Sequence, residues 1–356
     1  MYIGGEHTFS PGLLFKPSNN SFDNLISDLE KHYFINYTFG GYYSLLAILD
    51  HLKSDIDEES EVLLPSYLCQ SILQPFKARN IKYNFYRVDQ NLYVDISHLL
   101  SLINKNVKAV LFIDYFGATQ KDRLSTTIDF LSSKNIFIIQ DMVQCLHLDQ
   151  DKMFGDYIFN SFRKFFPIEG SVLLSKKEIN INFSKRTCSK FVLNKRMGQL
   201  LRYFHVNYGM FSSSSFLKFF KTADKNYYDE QNYKMSKTSR AILKKFDIDL
   251  LIKTQKQYYQ FLLDNFGNYV PELLNNQRFV PLGFVIVVPE RDLLRKKLFL
   301  ENVYPPVHWI LSDEIDDQLF SESIALSKSI LTFPLLNMND NKFDFMIKKM
   351  LESFKD

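Results

Sequence analysis

Asp141, Gln144, Ser161 and Lys164 bring a carboxyl, an amide, a hydroxyl and an amine into one stretch, IFIIQDMVQCLHLDQDKMFGDYIFNSFRKFFPIEGSVLL, residues 136–174. Each stands where a short apolar run ends, so a sheet would deliver all four to the carboxyl ends of its strands. Those parts suit pyridoxal phosphate: an acid for the pyridinium nitrogen and a lysine for the aldehyde. Asp141 would keep the ring nitrogen protonated and the ring an electron sink. Lys164 would have to sit where its pKa is lowered, so that its amine stays nucleophilic.

The elements that would position these groups alternate regularly. YFINYTFGGYYSLLAILDHLK reads as a strand, a turn at Gly40 and Gly41, and a helix whose Leu45, Leu46, Ile48, Leu49 and Leu52 recur at helical spacing. A helix that begins on glycines presents free backbone N–H groups and the positive end of its dipole, which suits a phosphate. From Glu61 onward EVLLPSY, KYNFYRV, KAVLFIDYFG and IFIIQD read as strands, separated by helices in LCQSILQPFKARN, ISHLLSLIN and DRLSTTIDFLSSKN. Short, nearly continuous apolar strands with helical crossovers indicate an α/β fold with a mostly parallel sheet. Ligands of such sheets gather at the carboxyl ends of the strands, where Ser66, Tyr67, Asp114, Tyr115, Asp141 and Gln144 would emerge.

Residues 179–264 turn helical and end in one long amphipathic helix, IDLLIKTQKQYYQFLLDNF. FVPLGFVIVVP restarts a strand, ERDLLRKKLFLEN follows as a helix, and DFMIKKMLESF closes the chain as another. The opening up to about residue 33 reads as irregular. PPVHWIL, with the only tryptophan, Trp309, and with His308, reads as a strand that either packs in the core of the second part or faces the cleft and positions substrate.

Composition narrows the functional classes. The chain has 356 residues, 46% hydrophobic and 23% charged, which is long enough for a large domain with a smaller companion. Its 43 basic and 40 acidic residues leave a net charge of only +3, which gives no reason to expect nucleic acid or an anionic membrane as partner. Cys69, Cys145 and Cys188 show neither a disulfide framework nor metal-ligand spacing, so no metal is expected. With no signal-like start and no apolar run of membrane length, a cytoplasmic protein is expected.

The order of these parts resembles the DegT/StrS family of pyridoxal phosphate-dependent sugar aminotransferases over nearly the whole chain. FGGYYSLLAIL is similar to the family's phosphate turn, LLPSYLCQSIL to its second strand and helix, and DYFGATQ to its middle strand end. IIQDMVQ is similar to its Asp-x-x-Gln, GDYIFNSFRKFFPIEGSVLL to its Gly-Asp, Ser-Phe, Lys and Gly series, and QNYKMS to its Asn-Tyr-Arg-Met-Ser segment, with Lys234 in place of arginine. The resemblance implies fold type I of the pyridoxal phosphate-dependent transferases. That fold would give a three-layer α/β/α large domain over 1–247 and a smaller C-terminal α/β domain over 248–356.

Residue by residue, the resemblance implies that Lys164 is the Schiff-base lysine and that Asp141 pairs with the ring nitrogen. Gln144 would lie by the ring hydroxyl. Gly41, Tyr42 and Ser161 would hold the phosphate, and Asn232 of a neighbouring subunit would complete that site in a homodimer. Three departures stand out. The family's spacing from serine to lysine is two residues longer and would fall on Phe166, which cannot form an imine, so Lys164 is the only candidate in its loop. The ring-stacking aromatic falls on Cys69, which leaves Tyr67 as a candidate for stacking. Tyr42 stands where the family often has a small hydroxyl residue, so a backbone contact is expected there.

The implied activity is transfer of an amino group from an amino acid such as glutamate to a keto-sugar, nucleotide-linked, in surface polysaccharide or amino-sugar biosynthesis. Two readings remain beside it. One is another pyridoxal phosphate reaction on a small keto or amino substrate. The other is a non-catalytic relative of the fold acting in regulation or assembly.

Overall fold

Strand-forming runs and crossover helices alternate along the first half of the chain as their periodicity requires. A computed structural model describes residues 1–53, 55, 57–184, 188–276, 278–336 and 338–353. In chain order these include β1 (Ile3–Gly4), α1 (Ser21–Leu29), β2 (Phe34–Thr38), α2 (Gly41–Leu52), β3 (Glu61–Pro65), α3 (Gln70–Arg79), β4 (Lys82–Tyr86) and α4 (Ile96–Ser101). Next come β5 (Val107–Ile113), α5 (Lys121–Ser133), β6 (Phe137–Asp141), β7 (Tyr157–Phe159) and β8 (Ser171–Ser175). The helical excursion is α6 (Ser189–Tyr208), α7 (Ser213–Asp224), α8 (Lys237–Leu243) and α9 (Ile248–Phe266). The chain finishes with β9 (Gly283–Val287), α10 (Arg291–Leu300), β10 (Val303–Tyr304), α11 (Ser321–Ser329), β11 (Ile330–Pro334) and α12 (Asp340–Ser353). Phe354, the end of the expected last helix, lies outside the described residues.

Among the described residues, seven strands form one sheet in the order β2-β8-β7-β6-β5-β3-β4. β8 runs antiparallel to β2 and β7, and the remaining pairings are parallel. Parallel strands must be covered on both faces, which is why β5 and β6 are mostly apolar and buried almost throughout. β5 and β6 pair in register from Ala109–Phe137 to Ile113–Asp141, so Asp114 and Asp141 reach the same edge of the sheet.

Two small sheets complete the fold. β9 and β11 pair antiparallel, and β1 pairs parallel with β10. The opening is therefore not irregular throughout. Ile3 and Gly4 add a strand beside Val303 and Tyr304, and α1 buries Phe22, Ile26 and Leu29. A two-residue strand carries no readable alternation, because only its distant partner defines it. PPVHWIL corrects the other way: residues 305–311 form no strand, since two of their first three positions are Pro305 and Pro306.

Candidate active site

The turn between β2 and α2 is held by buried hydroxyls. Thr38 Oγ1 lies 2.6 Å from Ser44 Oγ, which lies 2.8 Å from Ser171 Oγ, which donates to the Asn160 carbonyl at 2.6 Å. These bonds tie α2 to β8 and to the end of β7 at the level of Gly40 and Gly41. Close approach requires glycine at 41: a Cβ there would stand 2.9 Å from Val143 Cγ2 and 3.4 Å from the Asn160 carbonyl oxygen. The start of α2 thus abuts both the Asp141–Gln144 turn and the Asn160–Ser161 strand end.

Asp141 ends β6 and is buried, and its Oδ1 accepts the Val143 N–H at 2.8 Å. Burial pushes its carboxyl up to about 7, with the Val143 bond and the Lys164 charge holding it from going further. Its other oxygen has no hydrogen-bond donor among the described residues. Gln144 Oε1 accepts the Phe116 N–H at 2.7 Å, whereas its Nε2 is buried with no partner. Ser161 is buried at the end of β7, immediately before the single turn Phe162–Lys164. Burial holds the Lys164 amine below its ordinary value, and Arg163 acts the same way against the pull of Cys69, Asp141 and Glu6.

The expected residues do not all converge. Gly41, Asp141, Gln144, Ser161 and Lys164 come together at one end of the sheet. Cys69, at the head of α3, is close enough for its charge to act on Lys164. Tyr42 turns its hydroxyl to the Asp229 carbonyl at 3.1 Å, which leaves its backbone N–H at the start of α2. Tyr67 is wholly enclosed: its hydroxyl donates to the His308 carbonyl, and its ring packs on Trp309 and Tyr115 at 5.3 and 5.7 Å. Asn232 donates to Asp50 Oδ2 at 2.9 Å, towards the far end of α2 from Gly41, and its Oδ1 is buried without a partner. Phe166 packs against Phe246 in the core.

Lys164 opens onto a cavity of about 680 Å³, walled also by Glu6, His7, Arg163, His308 and Thr332. His308 Nδ1 lies 2.9 Å from Thr332 Oγ1, and burial, aided by the Lys164 charge, pushes its imidazole down to about 3, so it is neutral. His7 Nε2 lies 3.3 Å from the Lys164 carbonyl oxygen. Sequence reasoning missed Glu6, His7 and Asp114. The first two reach the site only through the pairing of β1 with β10. Asp114, which receives Gln140 Nε2 at 2.9 Å, stands at the strand end the pattern predicts, but the pattern alone shows no part for it there. Burial, assisted by Asp141, pushes it up to about 8.

These residues fit pyridoxal phosphate. A buried carboxylate with one open oxygen suits a ring N–H, the unpartnered Gln144 amide suits a ring substituent, and the glycine approach at residue 41 leaves backbone donors for a phosphate. Among the described residues no cluster could hold a metal ion.

No protein-family model matches the chain, and no curated protein matches it in sequence. Solved structures do match it, and they place the chain in the fold of the pyridoxal phosphate-dependent aminotransferases, so the resemblance read from the motifs extends to the whole architecture. A DegT DnrJ EryC1 StrS aminotransferase from Brucella abortus superposes with a TM-score of 0.66 at 15% identity, over 97% of this chain and 91% of its own. The sugar aminotransferase CalS13 from Micromonospora echinospora gives 0.65 at 11%, over 98% and 93%. NtdA from Bacillus subtilis, with the cofactor PMP bound, gives 0.64 at 14%, over 99% and 79%.

Proposed function

We propose that the protein is a pyridoxal phosphate-dependent aminotransferase that moves an amino group from an amino acid, glutamate being the first to test, to a nucleotide-linked keto-sugar. One observation carries the reading: a buried carboxyl, Asp141, and a buried amine, Lys164, act on each other beside a glycine-started helix, in the fold of known aminotransferases. Bound there, the cofactor supplies an aldehyde that condenses with amines and a ring that takes up negative charge.

The chain's own groups then have definite tasks. The open oxygen of Asp141 holds a proton on the ring nitrogen. Backbone N–H groups at Gly41 and Tyr42, with the Ser161 hydroxyl, bind the phosphate. Gln144 Nε2 donates to the ring's oxygen substituent. Lys164 Nζ would hold the cofactor's aldehyde and would serve as the base and acid that moves the donor's α-proton. Burial holds its pKa below the ordinary value, the direction that favours the free amine both tasks use. His308 lines the cavity on the substrate side, and Trp309, packed on Tyr67 and Tyr115, backs it from behind.

The same proposal divides the chain at 247/248, where α9 begins, and includes a homodimer in which Asn232 reaches the partner's phosphate site. It includes a cytoplasmic setting too; no described helix is long and apolar enough to cross a membrane. The sugar substrate is supported by what the structural neighbours are named for.

The test is an absorbance titration with pyridoxal phosphate. We expect a visible band that Lys164→Ala abolishes while circular dichroism stays unchanged. A band surviving the substitution would move the attachment to another lysine and refute the assignment.

A further inference from the structure

The cavity outside Lys164 is strongly cationic. Arg163, Lys164, Lys195, Arg202, Arg295 and Lys342 line it against two carboxylates, Glu6 and Asp224. Glu6 is committed to Lys195 at 2.8 Å. Arg202 is also committed, to the carbonyls of Gly4 and Glu6, and Arg295 donates to the Pro305 carbonyl at 3.1 Å. Arg163 differs from these. Its guanidinium carbon sits over the Tyr227 ring, 4.2 Å from the centroid, and no hydrogen-bond acceptor for it exists among the described residues. Tyr227 is itself buried among Phe39, Tyr43 and Phe191, so the platform is rigid. A guanidinium held by its face keeps its in-plane N–H donors free and aimed along the plane, which is the geometry that takes a carboxylate through two parallel bonds.

We propose that Arg163 is the anion anchor of the substrate cavity and receives a carboxylate of the amino acid that reacts at Lys164. The proposal rests on the function given above. The preceding turn places Arg163 one residue before the reactive amine, and both side chains reach the same cavity wall. Gly41, Tyr42 and Ser161, the groups assigned to the cofactor's phosphate, do not line that cavity, which is why a substrate carboxylate is favoured over that phosphate. The shortened Ser161-to-Lys164 spacing thereby gains a purpose: it sets an arginine next to the lysine.

The experiment compares wild type with Arg163→Gln and Arg163→Lys, each checked for unchanged circular dichroism. Three quantities are read: the glutamate concentration at half-maximal loss of the visible band, the dissociation constant of maleate, an unreactive dicarboxylate, by calorimetry with and without cofactor, and that of pyridoxal phosphate. Removing a charge-assisted pair should raise the glutamate and maleate values roughly 10- to 100-fold in Arg163→Gln, with partial recovery in Arg163→Lys. Cofactor affinity should stay within about twofold. Reaction with benzylamine, which has no carboxylate, should change far less than reaction with glutamate. Loss of cofactor affinity with glutamate and maleate unchanged would assign Arg163 to the phosphate and overturn the proposal. No change in any of the three would reduce Arg163 to a stacking partner of Tyr227. Maleate binding to the cofactor-free protein judges the anchor even if the Lys164 band itself fails to form.

Discussion

Asp141→Asn should make the cofactor-free protein more stable, and by an amount that depends on pH. In the native protein the Asp141 carboxyl titrates at about 7, and burial is the main cause. In the unfolded chain it titrates at about 3.9. Between those values the unfolded chain has lost the proton and the native one keeps it, so unfolding releases a proton. Stability then falls by about 1.36 kcal/mol per pH unit as pH rises, and levels off above the native value. The full span is about 4 kcal/mol, of which about 2.7 kcal/mol falls between pH 5 and 7. Asparagine does not titrate there, and its Oδ1 can still accept the Val143 N–H. Urea unfolding of both cofactor-free proteins from pH 5 to 9 measures the difference. It should grow in favour of the variant by about 2–3 kcal/mol from pH 5 to 7 and change less above that. Asp114 loses a negative neighbour in the variant, which adds to the gain in the alkaline range. With pyridoxal phosphate bound the order should reverse, because the ring N–H then rewards the carboxylate. A stability difference that is flat in pH would refute the assignment of Asp141 as an uncompensated buried acid.

Other outcomes follow from the same geometry. Glutamate should bleach the Lys164-dependent visible band, and Asp141→Asn should slow that step about 10²-fold or more while leaving the band able to form; failure of every common amino donor in wild type would favour one of the other two readings. Light scattering should give a dimer of the 42.0 kDa chain, and a monomer with cofactor bound would count against the Asn232 arrangement. Gly117 has a φ of +103°, and a Cβ there would stand 2.3 Å from the Val280 carbonyl oxygen. Gly117→Ala should therefore cost more than about 2 kcal/mol in urea unfolding; an unchanged midpoint would refute the packing at that turn.

What the sequence revealed was what local periodicity encodes. β5 and β6 are mostly apolar because both faces are covered, and Asp114 and Asp141 mark where each run leaves the sheet. The places of Asp141 and Ser161 at strand ends were legible for that reason. α9 showed its apolar stripe, and its start is marked by Asp247, whose side chain accepts the Leu250 N–H. The remainder depends on distant partners. Nothing local marks Ile3 and Gly4 as a strand, so Glu6 and His7 could not be placed in the cavity. Tyr67 stands at a strand end, as the α/β pattern requires, but its environment is set by Trp309 from more than two hundred residues away. That the charge of Arg163 lacks an acceptor among the described residues is a property of the folded surroundings alone.

The pairing of β1 with β10 also has a consequence for the order of synthesis. Residues 3 and 4 leave the ribosome about 300 positions ahead of Val303 and Tyr304. At roughly 5–20 residues per second, the leading segment waits about 15–60 s for its partner strand. Until then Glu6 and His7 have no wall to join, and Lys164 faces open solvent on that side. The nascent chain can thus assemble its central sheet while Lys164 remains unenclosed, and the cavity closes only once β10 has folded back beside β1.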